Sequence, residues 1–395
     1  MPSELLTAAQ ELGGTIVNDR RTIHSHPELA YQEEQTSTMV QARLRELGIP
    51  FRSGLGGTGV VGEIRGHKGD GPCVLLRADM DALPIEEKTS VPFASEIPGV
   101  MHACGHDAHT AILLGVARLL NERRDGFSGT VKLMFQPAEE GGAGAARMIE
   151  AGVLDEPKVD AAFMLHVGAE LEAGVVASGG GPLLAAADSF TIRVLGRGGH
   201  AARPNLAVDP IVAGAQIVTA LQTLVAREAS PFKPAVVTLG SFNAGHAHTV
   251  IPDEAVIQGT IRSFDGALFE RLEQRVTEVA QGIAAALRAT ATIDFHMHYP
   301  PSVCDERMAG LLGESSRRVL GSEAVVDFEP RMGAEDFAFV LQKVPGAMLS
   351  LGVKKAEWPE PKPVHTATFD IDESALPIGA ACLAQTALDF LAGQS

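Results

Sequence analysis

The chain has 395 residues, of which 45% are hydrophobic and 21% are charged, and its formal net charge is -17. This length exceeds the size at which a single hydrophobic core usually stops growing, so two domains are expected. The negative charge argues against nucleic acid or an anionic membrane surface as a partner.

The cysteines and the N-terminal segment indicate a cytoplasmic protein. The four cysteines show no paired spacing, and so few in a chain of this length do not form a disulfide framework. The N-terminal residues lack the basic region and apolar block of a signal peptide. No uncharged apolar run approaches the roughly 20 residues that span a bilayer. We therefore expect a cytoplasmic location and no membrane partner.

Residues 1–185 predict the first part of an α/β catalytic domain. Predicted helices cover 3–12, 33–47, 109–120 and 145–151, and predicted strands cover 59–64, 73–79, 130–135 and 160–166. Strands and helices in this alternating order favour a mostly parallel central sheet flanked by helices. Chemistry in such folds gathers at the carboxyl ends of the strands.

A second domain is predicted as an insertion over 186–298. Its elements in chain order are a strand at 189–195, a helix at 209–228, strands at 235–241 and 255–262, a helix at 268–288 and a strand at 291–296. Two halves of this kind form an α+β domain, with a four-stranded sheet and two helices on one face. Tyr299-Pro-Pro301 is the predicted return hinge, and 299–395 rejoins the first domain.

The densest group of chemistry-bearing side chains is the stretch Met101–His109, Met-His-Ala-Cys-Gly-His-Asp-Ala-His. Such side chains are costly to place beside an apolar run unless a metal or a reaction uses them. Cys104 and His106 are two residues apart, a spacing that suits chelation from a loop. The alternative is a buried free cysteine beside surface histidines.

Glu139 and Glu140 close an apolar strand and precede two glycines. In metal-assisted hydrolysis one carboxylate can bind a cation while its neighbour takes a proton from water. A solvated charged turn is the alternative interpretation. The preceding strand and the tight Gly-Gly sequence favour the functional one, because glycine allows close backbone approach.

Four further polar residues are ambiguous when each is considered alone. His166 ends a predicted strand and His365 follows Pro-Val in a loop, so either could be structural or a ligand. Asp79 and Asp81 alternate along an extended segment and so share a side. They could orient a ligating histidine, or they could belong to a turn after the strand.

The second domain contributes two candidates. His200 lies in a glycine-rich turn, where its imidazole could polarise a carbonyl and stabilise an oxyanion, or it could be an ordinary loop histidine. Arg262 ends a strand and could bind a substrate carboxylate by a bidentate pair, although arginines at strand ends are common. The other histidines of this region fit no ligand pattern: His246, His248, His296 and His298.

Nucleophilic catalysis is poorly supported. The chain has no Gly-x-Ser-x-Gly elbow and no phosphate-binding glycine loop. The best rival enzyme mechanism uses Cys104 as a thiol nucleophile beside a histidine. That mechanism gives no role to Glu139, Glu140 or His365.

Motifs along almost the whole chain resemble those of M20-type metallopeptidases. The resemblance is to the amidohydrolase branch, which includes hippurate hydrolases, N-acyl-amino-acid deacylases and plant auxin-conjugate hydrolases. The motifs are His24-Ser-His-Pro-Glu-Leu, Arg77-Ala-Asp-Met-Asp-Ala-Leu-Pro, Met101-His-Ala-Cys-Gly-His-Asp, Phe135-Gln-Pro-Ala-Glu-Glu-Gly, Gly199-His-Ala-Ala-Arg-Pro, Val250-Ile-Pro-Asp, Gly333-Ala-Glu-Asp-Phe and His365-Thr-Ala.

The resemblance implies a catalytic domain with an inserted lid and two divalent metal ions per subunit. The implied metal ligands are Cys104, His106, Glu140, His166 and His365. It further implies that Glu139 is the general base, and that the lid carries a dimer interface from which His200 reaches the partner's active site. We therefore expect a homodimer or homotetramer. One departure is His248-Thr249 before Val250, where the family often has two asparagines, so substrate specificity stays open.

We therefore expect a dinuclear metal-dependent amidohydrolase that cleaves the amide of an N-acyl amino acid or a similar small conjugate. A dipeptidase or carboxypeptidase with the same site is the second interpretation. A binding or regulatory protein that kept the fold and lost catalysis is the third. Zn²⁺ or Mn²⁺ is the expected metal, and Co²⁺ or Ni²⁺ also suits a set of thiolate, imidazole and carboxylate ligands.

Overall fold

The computed structural model describes residues 3–393 and divides into two compact units. The first unit comprises the described residues up to Gly181, Val303–Glu329 and those from Asp336 onward. The second unit comprises Pro182–Ser302 and Pro330–Glu335. Each unit contains its own sheet and its own hydrophobic core.

The helices and strands follow one another along the chain in the predicted alternation. The helices are α1 Glu4–Glu11, α2 Gly13–Ser25, α3 Glu34–Glu46, α4 His106–Asn121, α5 Glu139–Gly142, α6 Gly144–Glu150, α7 Pro210–Thr223, α8 Gly266–Ala286, α9 Glu306–Leu320, α10 Ala338–Leu341 and α11 Leu376–Gly393. The strands are β1 Phe51–Leu55, β2 Gly59–Arg65, β3 Cys73–Asp79, β4 Thr130–Gln136, β5 Ala161–Glu172, β6 Val176–Ser178, β7 Gly181–Leu184, β8 Ala186–Leu195, β9 Gly199–His200, β10 Ala235–Ala244, β11 Val250–Ile251, β12 Glu254–Ser263, β13 Thr290–Phe295, β14 Ser302–Cys304, β15 Val325–Asp327 and β16 Gly346–Lys354.

The first unit is built on an eight-stranded mixed sheet in the order β1-β2-β4-β3-β5-β16-β6-β15. Its centre is parallel, since β3 pairs in parallel with β4 and β5, and β5 pairs in parallel with β16. Every residue of β3 and β4 is buried, as expected for strands covered on both faces. The predicted α/β class with a mostly parallel sheet is confirmed. The carboxyl ends of β3 and β4 meet at one edge, where the candidate site lies. Strand β5 continues past its predicted end at 166 to Glu172, so His166 lies within the strand.

Two helices of the first unit differ from the prediction. Helix α2, which begins at Gly13, was not predicted. Helix α4 begins at His106 and not at His109, so the polar stretch forms the first turn of the helix. All residues of α4 from His106 through Ala117 are buried, which makes α4 a central core helix.

The C-terminal helix could span a membrane by its length and composition alone. Residues 373–393 are long and apolar enough, with a mean hydropathy of 1.4, and 72% of the apolar window is buried inside the fold. Helix α11 packs against α4 and α9. Asp389 interrupts the apolar run, and its carboxylate accepts hydrogen bonds from Ser315 and Arg318. The core helix of a soluble protein passes the same test, so this one helix is weak support for a membrane span.

The second unit has the predicted four-stranded sheet and two helices. The strand order is β10-β12-β8-β13 and all its pairings are antiparallel. Helices α7 and α8 begin after Asp209 and Asp265, whose carboxylates accept hydrogen bonds from backbone N–H groups of the first turn. Buried aliphatic and aromatic residues of both helices and the sheet form one core cluster.

The edges of the second unit lie outside the predicted limits of 186 and 298. Tyr299, the first residue of the predicted return hinge, pairs its N–H and C=O with those of Ala187 within this unit. Its side chain is buried. The short segment Pro330–Glu335 also belongs here, since Ala185 N–H donates to the Gly333 carbonyl. Nothing in the local sequence of 330–335 indicated this pairing.

Candidate metal centre

A glycine fixes the turn that presents Cys104 and His106. Gly105 has a φ of 87°, in the left-handed region that favours glycine. A Cβ at this position would lie 2.6 Å from Cγ2 of Val167, so a larger residue does not fit. Helix α4 starts directly after this turn, which fixes the imidazole of His106 on a rigid element.

The Cys104 thiol faces the imidazole of His166. Sγ of Cys104 lies 3.5 Å from Nε2 of His166. Burial alone would raise the pKa of the thiol, but His166 and the other nearby histidines lower it to about 6. Nδ1 of His166 donates to the Val167 carbonyl over 2.8 Å, which directs the Nε2 lone pair toward the thiol. Both side chains therefore present atoms suited to a metal ion.

His106 is oriented by the two aspartates that end β3. Its Nδ1 lies 3.3 Å from Oδ1 of Asp81 and its Nε2 lies 3.7 Å from Oδ2 of Asp79. Nε2 is buried and makes no hydrogen bond. Burial opposes ionisation of the ring, yet the adjacent carboxylates and the thiolate hold the pKa of His106 well above its usual value. A buried imidazole nitrogen without a partner is what a metal ligand presents in the absence of the ion.

The Glu139-Glu140 pair lies in a sharp turn at the end of β4. Ala138 before it has a left-handed φ of 53°, and its N–H donates to Oε1 of the buried Glu33 over 2.9 Å. Asp81 accepts hydrogen bonds from the backbone N–H groups of both Glu139 and Glu140, over 3.0 and 2.9 Å. One carboxylate at the end of β3 therefore fixes both members of the pair.

The two glutamates face different groups. The Glu139 side chain is buried, and its Oε1 lies 3.4 Å from the backbone N of Asp336. Oε1 of Glu140 lies 3.0 Å from Nε2 of His365. His365 has a left-handed φ of 61°, and its N–H donates to the Ala103 carbonyl over 2.7 Å. Hydrogen bonds with Cys104 and Glu140 raise the pKa of His365 to about 10, although burial opposes the rise.

The ligand atoms form overlapping groups that fit two cations. In each group the donor atoms lie within 4.8 Å of one another, and the groups are Cys104 with His106 and His166, Cys104 with Glu140 and His365, and His106 with Glu139 and Glu140. The donors are one thiolate, three imidazoles and two carboxylates, a mixed set typical of transition-metal sites. The structure thus brings together all five predicted ligands and the predicted base.

His109 and His102 differ from the ligand histidines. His109 uses both ring nitrogens, since Nδ1 donates to Asp79 over 2.6 Å and Nε2 accepts from Val167 N–H over 2.9 Å. His102 is fully buried, and burial lowers its pKa to about 4. Neither of its ring nitrogens makes a hydrogen bond within the described residues. Both rings lie next to the centre, and His109 forms a further group of potential ligands with Asp79 and His106.

A buried ionic network beneath the site was not anticipated from the sequence. Arg77 donates to Gln136 over 2.8 Å, to Asp79 over 2.6 Å and to Asp336 over 3.0 Å. Burial alone would raise the pKa of Asp79, but His106, Arg77 and His109 hold it well below its ordinary value. Arg77 and Asp336 lie in two of the recognised motifs, which was the available signal. The two residues are 259 positions apart in the sequence, so their contact could not be predicted from local patterns.

The two candidates of the second unit have partners within that unit. His200 lies on β9, pairs with Val250, and its Nδ1 accepts from Ala202 N–H over 3.1 Å. Thr249, part of the departure from the family pattern, accepts a hydrogen bond from Ala201 N–H. Arg262 donates from Nη1 to the Met332 carbonyl over 3.2 Å. Their predicted roles toward substrate stay predictions.

Comparison with protein families identifies a match over most of the chain. Residues 75–389 match Peptidase family M20/M25/M40. The chain is 42% identical to IAA-amino acid hydrolase ILR1-like 4 of Arabidopsis thaliana, over 99% of this chain and 89% of that protein. It is 41% identical to N-acetyl-L-cysteine deacetylase of Bacillus subtilis, over 95% of this chain and 87% of that protein.

Two further similarities extend along nearly the full length. Thermostable carboxypeptidase 2 of Saccharolobus solfataricus is 42% identical, with 98% of both chains covered. The crystal structure of the Bacillus subtilis YXEP protein, described as a dinuclear metal binding peptidase from M20 family, superposes with a TM-score of 0.81. The alignment with that structure has 37% identity and covers 97% of this chain and 99% of the other.

Proposed function

This chain belongs to peptidase family M20/M25/M40 and is a hydrolase of amide bonds, and we propose that it cleaves N-acyl amino acids or similar small conjugates. The observation that carries the proposal is the convergence of one thiolate, three imidazoles and two carboxylates at the end of the parallel strands. The Arabidopsis and Bacillus relatives are named for hydrolysis of an IAA-amino acid and of N-acetyl-L-cysteine.

We propose two divalent ions, held by Cys104, His106, Glu140, His166 and His365. Bound ions at such a site act as Lewis acids and lower the pKa of water. The YXEP protein is named as a dinuclear metal binding peptidase, which supports the same number here. The thiolate favours Zn²⁺, while the imidazole and carboxylate donors also suit Mn²⁺, Co²⁺ or Ni²⁺.

Glu139 is the proposed general base and acid. Its carboxylate is buried and fixed through the backbone of the turn, so the proton acceptor is pre-positioned. We propose that Glu139 takes a proton from the attacking water and delivers it to the leaving amine. His200 is proposed to stabilise the negative charge that develops on the carbonyl oxygen, as an imidazole donor can.

A carboxypeptidase or dipeptidase activity at the same site is the second candidate. It is favoured by the 42% identity to a thermostable carboxypeptidase over 98% of both chains. Both activities hydrolyse an amide next to a free amino acid, so the metal centre and Glu139 would serve either. The discriminating feature is the group on the acyl side of the amide.

A substrate panel on metal-reconstituted protein tests the proposal. N-acetyl and N-benzoyl amino acids should be hydrolysed faster than dipeptides after loading with Zn²⁺, Mn²⁺, Co²⁺ or Ni²⁺. The Glu139→Gln variant should keep its metal content and lose turnover by about 100-fold or more. Glu150→Gln removes an exposed carboxylate of α6 and is the matched control. Near wild-type turnover in E139Q would refute the assigned base.

The substrate class, the oligomeric state and the cellular location of the enzyme are also proposals. We propose a small-molecule substrate, a homodimer or homotetramer assembled through the second unit, and a cytoplasmic location. The cysteines support the last point, because the four thiols are free and buried and none is paired in the structure. Sedimentation of the purified chain would measure the assembly directly.

A further inference from the structure

A second cluster of potential metal ligands lies in the second unit and has no part in the proposed reaction. It consists of Asp188, Glu273 and His298, whose ligand atoms lie within 4.8 Å of one another. Asp188 is on strand β8, Glu273 is on helix α8, and His298 follows β13. Three separate elements therefore bring two carboxylates and one imidazole close together.

Asp188 presents a buried oxygen without a partner. Its side chain has a relative exposure of 0%. Oδ1 accepts hydrogen bonds from the backbone N–H groups of His296 and Met297, over 3.1 and 2.9 Å. Oδ2 is buried and accepts no hydrogen bond. A buried carboxylate oxygen without a donor is costly, so its environment is incomplete without a further group.

The nearest donor cannot satisfy both carboxylates. Nδ1 of His298 lies 3.0 Å from Oε1 of Glu273 and 3.8 Å from Oδ2 of Asp188. One nitrogen carries at most one proton, and the shorter contact goes to Glu273. Oδ2 of Asp188 therefore faces an imidazole and a second carboxylate, and it receives no hydrogen bond when Glu273 is ionised.

The charges of the cluster favour a cation. Two carboxylates close together repel each other, and the repulsion is strong where one of them is shielded from water. Burial and the nearby Asp188 raise the pKa of Glu273, while His298 lowers it. A divalent ion would neutralise both carboxylates and would be bound by the oxygen that now lacks a partner.

We propose that Asp188, Glu273 and His298 bind a divalent transition-metal ion of the Mn²⁺ or Zn²⁺ class. Two carboxylate oxygens and one imidazole nitrogen are a donor set that such ions accept. The His298 side chain is 63% exposed, so the ion reaches the cluster from solvent.

The ion would act as a structural clamp of the second unit. By binding Glu273 and Asp188, the ion would link helix α8 to strand β8. By binding His298, it would also link the segment after β13 to these two elements. Asp188 already accepts the N–H groups of His296 and Met297, so the clamp extends an existing anchoring of this segment. Metal binding adds to the stability of the form that holds the ligands together.

Metal stoichiometry of the full-length protein tests the proposal. Wild type, Glu273→Gln and His298→Ala are dialysed against saturating Mn²⁺, and bound metal per chain is measured by mass spectrometry. Each variant should bind one ion fewer than wild type. Glu270→Gln removes an exposed carboxylate one turn earlier on α8 and should bind as many ions as wild type. Equal binding by all four proteins would overturn the proposal and assign the cluster to a shared proton.

Cobalt spectroscopy identifies which ion is lost. The Cys104 centre contains a thiolate and gives a thiolate-to-cobalt absorption band, whereas the second cluster contains no sulfur. The difference spectrum of wild type minus H298A, both loaded with Co²⁺, should lack that band. Its presence would mean that the variant lost an ion of the Cys104 centre, which would also overturn the proposal. The difference of one ion is independent of how many ions the Cys104 centre holds, so this test stands apart from the proposed function.

Discussion

His109 and Asp79 are joined by a hydrogen bond of 2.6 Å from Nδ1 to Oδ1, in a fully buried environment. The other ring nitrogen accepts the N–H of Val167, the residue directly after the candidate ligand His166. Because both nitrogens are used, His109 links the middle of β5 to the end of β3. These two hydrogen bonds indicate a positioning role for this histidine of the polar stretch.

Replacing His109 should destabilise the protein without removing a metal ion. His109→Ala leaves a buried carboxylate oxygen and a backbone N–H without partners, which costs about 3 kcal/mol. Urea unfolding should show this loss, while bound metal per folded chain stays as in wild type. His67→Ala, at an exposed histidine, is the control. Loss of one ion at wild-type stability would instead make His109 a ligand.

Cys104 should be the reactive thiol of the metal-free protein. Its pKa is lowered to about 6, whereas burial raises the pKa of Cys73 and Cys382 to about 12 and that of Cys304 to about 11. After chelation, alkylation by iodoacetamide should rise through pH 6 and level off above it, because the thiolate is the nucleophile. Peptide mapping should locate the label on Cys104 alone.

Metal should protect the same thiol. Zn²⁺ added before iodoacetamide should suppress labelling of Cys104, because coordination occupies the sulfur lone pair. Cys104→Ser provides the unlabelled control. Labelling at an unchanged rate in saturating Zn²⁺ would contradict the assignment of Cys104 as a ligand.

The buried pair of His24 and Asp107 should make stability depend on pH. Burial lowers the pKa of His24, but Asp107 and Glu87 outweigh it and raise it to about 9. Because the folded-state pKa lies above the unfolded value, the contribution is complete below about pH 6.5 and is lost as pH rises through 9. The loss should be roughly 3 kcal/mol in the free energy of unfolding.

Urea unfolding of chelator-treated protein at a series of pH values measures this loss. The chelator removes the pH dependence of metal binding. The difference between wild type and His24→Gln then separates His24 from His106 and His365, whose pKa values are also raised. His24→Gln should have lower stability at pH 6 and a flatter profile up to pH 9. His26→Gln, at an exposed histidine of the same region, should retain the wild-type slope. Parallel profiles for wild type and H24Q would show that His24 does not hold its proton.

Arg262 should contribute to binding of the substrate carboxylate. It is half-buried, burial lowers its pKa, and in the described part of the chain no carboxylate pairs with it. Arg262→Gln should raise KM for N-acyl amino acids by about 10-fold or more with a smaller effect on kcat. The corresponding C-terminal amides should be unaffected. Arg193→Gln, at an exposed arginine of β8, is the control. An equal rise in KM for the acids and the amides in R262Q would contradict binding of the substrate carboxylate by Arg262.

Most of the fold and the candidate ligand residues could be predicted from the local sequence and its motifs. Apolar strands such as β3 and β4 are recognisable because each has a continuous buried pattern, and the polar residues at their ends follow from the parallel order. Glu139 and Glu140 were predictable in this way. The family and the hydrolytic activity, first expected from the motifs, are confirmed by the match over 75–389.

The features that could not be predicted from the sequence depend on contacts between residues far apart in the chain. Arg77 and Asp336 are 259 residues apart, and no local pattern states that one neutralises the other. His298 fitted no ligand pattern because its partners Asp188 and Glu273 lie on a different strand and a helix. Tyr-Pro-Pro indicated a turn at Tyr299, while the pairing of Tyr299 with Ala187 is a tertiary contact that the local sequence does not show.

The placement of His365 has a consequence for the order in which the protein is made. Its backbone N–H donates to the Ala103 carbonyl. The last predicted ligand in the sequence is therefore synthesised 262 residues after Ala103, which it contacts. A chain growing from its N-terminus must therefore make Cys104 long before the last ligand of the centre is available. Despite burial, histidines brought together by folding lower the pKa of this thiol, so the nascent chain carries it mostly protonated. The reactive thiolate therefore forms only when the nearly finished polypeptide folds around it.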